Sequence, residues 1–558
     1  MKFVLGLACA LPLLTAVTAA QGQSGDFLAA LAATRSSDAD SATGYLADAL
    51  EKDPGEQALI RQQMRILTIE GDFDAALEYA EAFLETDSED QLALNIVRIE
   101  AIKRGAWSTA LSTLPRPAGS RLDDIIDAIA YASILTGDGQ IDEALSKIEA
   151  GLDAIGFSHL GNYARGLVYA TQGEADSAAD AFAAFISQDP FQYPRMTQIS
   201  AEALERAGDV DNAKILYEAL LSTGARGAGE EGLARIEQGQ TTPQTPSIEP
   251  LDVYTELLFV IARLLAEQDS PQLAYRFAQE IGYLLTPKSS LYPGYTEVIA
   301  SSLLELERYE EAETFYAALE QVEEFKLAAL LGQVQALSDQ QRYADALSVL
   351  DEAEDLLGGA PGINRQRGVL YFRAQDFQKS VDAFSTWRDQ MPSLTAGAAQ
   401  PLFIAGISYY RLDDFDNMEE ALLKSLELNP DDPNVLNFLA YSWVERGLNL
   451  DQGFEMLNRA VEMQPDSGAI IDSLGWAYYQ LGEYDEALPH LERAFQLNPW
   501  SWEIAEHVGD VYWRLDRTRE AQYFWARALD LPDIPEDHVQ DVGLKLTDGL
   551  PDDDDAAQ

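Results

Sequence analysis

The sequence predicts an all-α protein: a superhelical solenoid of helix–turn–helix units, in two arrays of about fourteen repeats in total. Three observations carry this expectation. Gly71, Gly105, Gly139, Gly173 and Gly208 step along the chain by 34, 34, 34 and 35 residues. Residues 468–499, GAIIDSLGWAYYQLGEYDEALPHLERAFQLNP, read as one complete unit. Gly509 and Ala521 then repeat Gly475 and Ala487 at a spacing of 34. A period of roughly 20–50 residues marks a stacked array. One such unit leaves an apolar face bare on each side, so it is stable only between neighbours.

Within 468–499, Gly475 is small and lets a neighbouring helix approach closely. Tyr478 follows about one turn later, and Gly482 and Tyr484 mark the turn between the two helices. Ala487, Leu491 and Ala494 recur at i, i+4 and i+7 and so share one face of the second helix. Pro499 ends that helix, because proline has no N–H to donate.

The chain has 558 residues, more than one core usually supports. An array escapes that limit, since each unit packs only on its neighbours. Apolar content of 47% and charged content of 24% are those of a folded protein. The balance of 94 Asp+Glu against 38 Lys+Arg gives a net charge of −56. Such a surface repels phosphate backbones and anionic headgroups, which excludes nucleic acid as a partner and favours neutral or basic protein and peptide segments.

Residues 1–20 have the pattern of a secretory signal: Lys2, an apolar stretch from Phe3 to Leu14, and small residues at Val17–Ala20. The apolar stretch is too short to span a bilayer. The single cysteine, Cys9, lies inside it, where a lipid-attachment cysteine would not sit. The expectation is export to a periplasm, with secretion as the alternative, no transmembrane segment, and at most peripheral association with the envelope.

Residues 21–235 hold an N-terminal array. Its units carry Gly71, Phe73, Ala76 and Ala80; Gly105, Trp107 and Ala110; Gly139, Ile141 and Ala144; Gly166, Tyr169, Gly173 and Phe182; and Ala201, Gly208 and Ala213. The pattern breaks over 236–254, where QGQTTPQTPSIEP has three prolines and no apolar period, and a linker with a hinge is expected. A second array, 255–533, includes Tyr309 and Ala312; Tyr343 and Ala346; Gly368 and Phe384; Gly406 and Leu422; Ala440 and Leu457; the 468–499 unit; and Gly509, Ala521 and Trp525. Residues 534–558 form a capping helix, with Val539, Val542 and Leu546 covering the last repeat, and an acidic tail at Asp552–Asp555.

The small–aromatic–glycine–aromatic–alanine–proline order of 468–499 resembles the tetratricopeptide repeat. The resemblance is strongest from about Asn434 to Leu531. In overall plan the chain resembles periplasmic multi-repeat proteins of bacteria, some of which are adaptors of carboxyl-terminal processing proteases. It implies a non-enzymatic scaffold or adaptor in the cell envelope, with an assembly or chaperone-like scaffold and an α-solenoid enzyme such as a glycan hydrolase as alternatives. It also implies that first helices line a groove for partner segments. In the last three repeats the groove positions are Asn434, Asn437 and Tyr441; Asp472, Trp476, Tyr479 and Gln480; and Glu506, Asp510, Trp513 and Arg514. This stripe mixes rings with amides and carboxylates, as recognition surfaces do. Packing is expected to need neither Asn437 nor Asp472.

Other chemistry is weakly signalled. His159, His490, His507 and His538 include no i, i+4 pair, so no helical metal site is expected. Residues 138–142, DGQID, resemble the middle of a calcium loop, but Ile134 and Leu145 stand where its first and twelfth ligands belong. Gly139 is better read as a repeat turn. No nucleophile elbow, P-loop or dinucleotide fingerprint is present, and neither a catalytic set nor a cofactor is expected.

Overall fold

The structure is a computed structural model that describes residues 29–30, 39–114, 120–186, 194–221, 226–240, 248–268, 270–285, 292–322, 325–357, 360–532 and 534–551. The signal-like segment and the Asp552–Asp555 tail lie outside these residues, as do 241–247 of the expected linker. Among the described residues there are twenty-nine α-helices, mostly in hairpins, and no strand. None of these helices is long and apolar enough to cross a membrane. The chain divides into two compact units, Met1–Leu356 and Leu357–Gln558.

The first unit contains α1 (Ala39–Lys52), α2 (Gln57–Ile69), α3 (Phe73–Leu84), α4 (Gln91–Lys103), α5 (Trp107–Ser112), α6 (Arg121–Gly137), α7 (Ile141–Ile148), α8 (Ser158–Thr171), α9 (Ala175–Ile186), α10 (Pro194–Arg206), α11 (Val210–Leu220) and α12 (Arg226–Glu237). It continues with α13 (Pro250–Glu267), α14 (Pro271–Leu284), α15 (Tyr292–Glu305), α16 (Tyr309–Leu319), α17 (Lys326–Asp339) and α18 (Tyr343–Leu357), which reaches the boundary. The second unit holds α19 (Pro361–Arg373), α20 (Phe377–Gln390), α21 (Ala399–Tyr410), α22 (Phe415–Leu428), α23 (Pro433–Glu445), α24 (Leu450–Met463), α25 (Gly468–Gln480), α26 (Tyr484–Leu497), α27 (Trp502–Arg514), α28 (Thr518–Leu529) and α29 (Glu536–Asp548).

Most of the described hairpins turn through a residue with positive φ, and the α23–α24 turn uses two, Gly447 and Asn449. In the first unit these are the expected glycines, with φ from 66° to 83° at Gly71, Gly105, Gly139, Gly173 and Gly208. Gly139 is thus a repeat turn. Farther on the same backbone shape is imposed on Glu307, Gln341, Gln375, Asp413 and Asp516, at φ of 56° to 62°. The residue after the turn often caps the second helix: Asp72, Asp209, Asp376 and Asp414 each accept from the backbone N–H three residues on. A left-handed L-residue costs roughly 1–2 kcal/mol, and glycine relieves it at an entropic cost in the unfolded chain. Gln341→Gly and Gln375→Gly are therefore expected to raise stability by about 0.5–1 kcal/mol each. The check is thermal and urea melts of the single and double variants, and a lowered midpoint would contradict the turn assignment.

Second helices bury the expected stripe. Ala487, Leu491 and Ala494, and Ala521, Trp525 and Ala528, are fully buried. At Gly475 an added Cβ would lie 2.7 Å from Leu491, and at Gly509 it would lie 2.5 Å from Trp525, so each glycine is a notch for a bulky residue of its own second helix. Neighbouring first helices also touch one another, as α23 with α25 and α25 with α27 do. These first helices provide the face where successive repeats come together. In α29, Val542 is buried and Leu546 packs on the last core cluster, but Val539 is 40% exposed. The expectation that Val539 covers the last repeat is thus corrected.

Candidate functional site

Two first-helix faces could hold a partner. The one in the first unit is occupied by the chain itself. Helix α13 packs on α6 and α8, and α14 packs on α2 and α4. Ten successive residues of α13, Val253–Ala262, are buried. Polar contacts fix this hairpin. Ser133 Oγ donates to the Pro250 carbonyl at 2.6 Å, Arg195 pairs with Glu256 at 3.2 Å, and Tyr254 donates to Glu280 at 2.5 Å. Tyr283 donates to Asp74 at 2.7 Å and lies under the Lys103 ammonium, while Arg308 pairs with Glu70 at 3.1 Å. Pro250, read from sequence as part of the linker, starts α13, where a missing N–H costs nothing. The hairpin that follows 241–247 therefore packs on helices that precede it, α13 on α6 and α8 and α14 on α2 and α4, and Phe73 is buried there rather than offered to a ligand.

The second face runs along α21, α23, α25 and α27. A contact ladder links these helices at a spacing of 35 residues, one repeat plus one position. Tyr410 donates to Glu445 at 2.9 Å, and the His507 Nδ1 lies 3.0 and 3.1 Å from the two Asp472 oxygens. Arg514 donates to the Tyr479 hydroxyl at 3.3 Å, and Lys545 donates to Asp510 at 2.6 Å. One repeat plus one position thus brings these residues together on adjacent first helices.

The middle of this face is aromatic. Trp476 stacks on His507 with ring centres 3.9 Å apart, and on Tyr479 at 4.5 Å. Tyr441 is half-buried, and its hydroxyl is pushed up by burial and by Glu445 and Glu503. Burial likewise holds Tyr479 up at about 12, despite Arg514. Both phenols stay neutral donors at physiological pH. Burial works against the His507 imidazolium, but Asp472 outweighs it and lifts the pKa to about 8. Asn437 is half-buried, and its Oδ1 is enclosed without a hydrogen bond. Asn434 and Gln480 are exposed. Glu503 is also exposed.

Asp472 is buried, with 7% exposure, and anchors His507. This corrects the expectation that packing does not need it. At the C-terminal end of the face the chain engages its own groups. Lys545 donates to Glu506 and Asp510 at 2.6 Å each, and Asp510 also accepts from the buried Trp525 indole at 2.8 Å. Burial raises the Asp510 carboxyl while Lys545 opposes that rise. Lys545 itself is lifted, since Asp510 and Glu506 outweigh burial. Each Asp510 oxygen accepts from one donor. Trp513 packs on Trp525 and against Gly549, where a Cβ would come within 2.0 Å of its ring. Arg514 donates to the Pro551 carbonyl at 2.7 Å. Of the eleven expected groove residues, Glu506, Asp510, Trp513 and Arg514 thus serve the chain's own terminal segment. Asn434, Asn437, Tyr441, Trp476, Tyr479 and Gln480 remain along the open part. Sequence reasoning missed His507, Lys545, Tyr410, Glu445 and Glu503. The spacing of 35 was the signal that could have found the first four.

Comparison with known proteins finds the same kind of repeat. Family models for the tetratricopeptide repeat match residues 132–193, 297–361, 331–394, 399–432 and 473–501. TPR repeat-containing protein PA4667 of Pseudomonas aeruginosa is 33% identical over 75 residues, 13% of this chain and 13% of that protein. TPR repeat-containing protein YpiA of Bacillus subtilis is 22% identical over 264 residues, 46% of this chain and 60% of that protein. The chain thus spans less than two thirds of the length of each. Among solved structures, a chain of the APC/C hetero-tetramer Cut9–Hcn1 aligns over 95% of this chain and 97% of its own, with a TM-score of 0.38 and 15% identity.

Proposed function

We propose that this tetratricopeptide repeat protein is a non-enzymatic scaffold whose second unit grips neutral or basic segments of other proteins on the face of α21, α23, α25 and α27. The observation that carries the reading is the Trp476–Tyr479–His507 stack, flanked by Tyr441, the unsatisfied Asn437 Oδ1 and the carboxylates of Glu445 and Glu503. Rigid rings offer apolar area with few rotors to freeze. A backbone N–H of a bound segment would satisfy Asn437, and a lysine or arginine of that segment would sit near Glu445 and Glu503. The face in the first unit is already filled by α13 and α14, which leaves this one as the docking surface. Lys2, the apolar run and the small residues that follow support export to the periplasm and a role in the cell envelope. An adaptor for a protease is one form of that role.

The test is a pull-down with the full chain from envelope extract, identification of the captured protein, and titration of that protein against the Trp476→Ala/Tyr479→Ala variant. A loss of at least tenfold, about 1.4 kcal/mol, is expected. A variant that keeps its circular dichroism and its melting profile yet binds with unchanged affinity would move the site elsewhere. A captured protease would assign the adaptor role, and capture of assembly machinery would assign the assembly role.

A further inference from the structure

We infer that the outer side of α28 binds a narrow acidic segment of another protein, one that carries an apolar side chain among its carboxylates. The register of the second helices is the first observation. From α22 onward each carries an outward stripe at i, i+4 and i+8. In α22 the stripe is Asp416, Glu420 and Lys424, in α24 it is Asp451, Glu455 and Arg459, and in α26 it is Asp485, Pro489 and Arg493, all of them exposed. One repeat later, in α28, the same positions hold Arg519, Tyr523 and Arg527. The first position thus changes from aspartate to arginine, and the second becomes an aromatic ring.

The geometry around this stripe is the second observation. On the preceding helices the third-position cations are engaged locally. Lys424 pairs with Glu427, Arg459 pairs with Asp431, and Arg493 donates to the Pro465 carbonyl at 2.6 Å. Arg527 instead lies over the Trp500 ring, 5.5 Å from its centre. Of the acids on α28 and its cap, Glu520 is held by Arg517 at 3.0 Å, and Asp530 stands at the C-terminal end. Among the described residues neither Arg519 nor Arg527 forms an ion pair. Trp500 and Tyr523 are 69% and 65% exposed, the two most exposed large apolar side chains among the described residues. Tyr523 is steadied by Phe524, which it meets edge-on at 5.2 Å and which packs on Phe495 of α26. Two exposed rings and two unpaired guanidinium groups therefore share one side of the last repeat.

Charge defines the occupant. A guanidinium fork takes a carboxylate through two parallel hydrogen bonds, and the rings offer area to an apolar side chain. Charges farther away than about 8 Å are largely screened at physiological salt. A narrow segment therefore feels the arginines beneath it and little of the net charge of −56. A broad acidic body, such as an anionic bilayer or a second copy of this chain, would also face the acidic stripes of the preceding second helices and be repelled. The inference rests on α28 and not on the α25 face, which takes neutral or basic segments.

The probe is a labelled peptide, EDFEELDE, titrated with the full chain and followed by fluorescence anisotropy. Saturable binding is expected that weakens with added salt. It should fall about tenfold or more for Arg519→Asp/Arg527→Gln, and likewise for Trp500→Ala/Tyr523→Ala. Aspartate at position 519 lies in the first turn of α28, where the helix dipole favours it, so the charge variant should keep its melting temperature. The neutral peptide QNFQQLNQ should bind at least tenfold more weakly. Absence of saturable binding overturns the inference, as does affinity unchanged by both variants or by neutralising the peptide. Binding that is weakened by Trp476→Ala/Tyr479→Ala but not by the α28 variants also overturns it, because the peptide would then lie on the α25 face. Cosedimentation with phosphatidylglycerol vesicles that the α28 variants abolish, without peptide binding, would overturn it in favour of anionic lipid.

Discussion

Asp510→Ala is expected to destabilise the second unit by about 3 kcal/mol or more. Asp510 is 3% exposed, and its two oxygens accept from Trp525 Nε1 and Lys545 Nζ. Alanine leaves the fully buried indole N–H without an acceptor and Lys545 with Glu506 alone. Removing one member of a buried pair costs roughly 3–5 kcal/mol, and an orphaned buried donor costs about 1–3 kcal/mol. These two losses share one residue and are not additive. Asp510→Asn keeps an acceptor for Trp525 and should lose less. Urea unfolding followed by tryptophan fluorescence distinguishes the variants. Midpoints that coincide with the parent would mean the Asp510 network does not hold α29 to α27. The same network ties α29 to α27, so the alanine variant should also lose helix at α29, read as faster amide exchange over 536–548.

Stability is also expected to fall as pH rises from about 6.5 to beyond 8. His507 has its folded pKa at about 8, against roughly 6.5 in an unfolded chain. A raised folded value means that the folded state holds the proton more tightly. The stabilisation is therefore fully present below about 6.5 and is lost as pH climbs through about 8. The groups facing the ring are Asp472, Glu503 and Asp510, with Trp476 stacked on it. The displacement of about 1.5 pKa units corresponds to on the order of 2 kcal/mol, or about 4–8 °C in melting temperature for a unit of this size. His507→Gln removes the titration. Melting temperatures of parent and variant, measured across this window, should converge as pH rises; a constant difference would rule out the Asp472–His507 pair as the cause. The same window tests its link to binding, since the imidazolium floors the Trp476 stack.

How far the sequence alone reaches can be argued from these residues. The 34-residue glycine register, the Ala487–Leu491–Ala494 stripe and the proline stops determine the all-helical hairpins, because local backbone shape and one-sided burial act within a single unit. Turns at Glu307, Gln341, Gln375, Asp413 and Asp516 were not legible, since stacking forces these residues into a shape they do not prefer. The aromatic stripe at Trp476 and Tyr479 was legible as a face, for repeat position alone assigns it. Tertiary structure decided the rest. From the sequence, α13 reads as the opening of the second array after a linker, and only packing shows that it fills the first-helix face of its own unit. Asp472, Glu506 and Asp510 read as free carboxylates. Whether a carboxylate is free depends on what lies one repeat away, and His507 and Lys545 stand there, 35 residues on. Local chemistry sets each repeat, while the contacts between repeats set which groups are left for a partner.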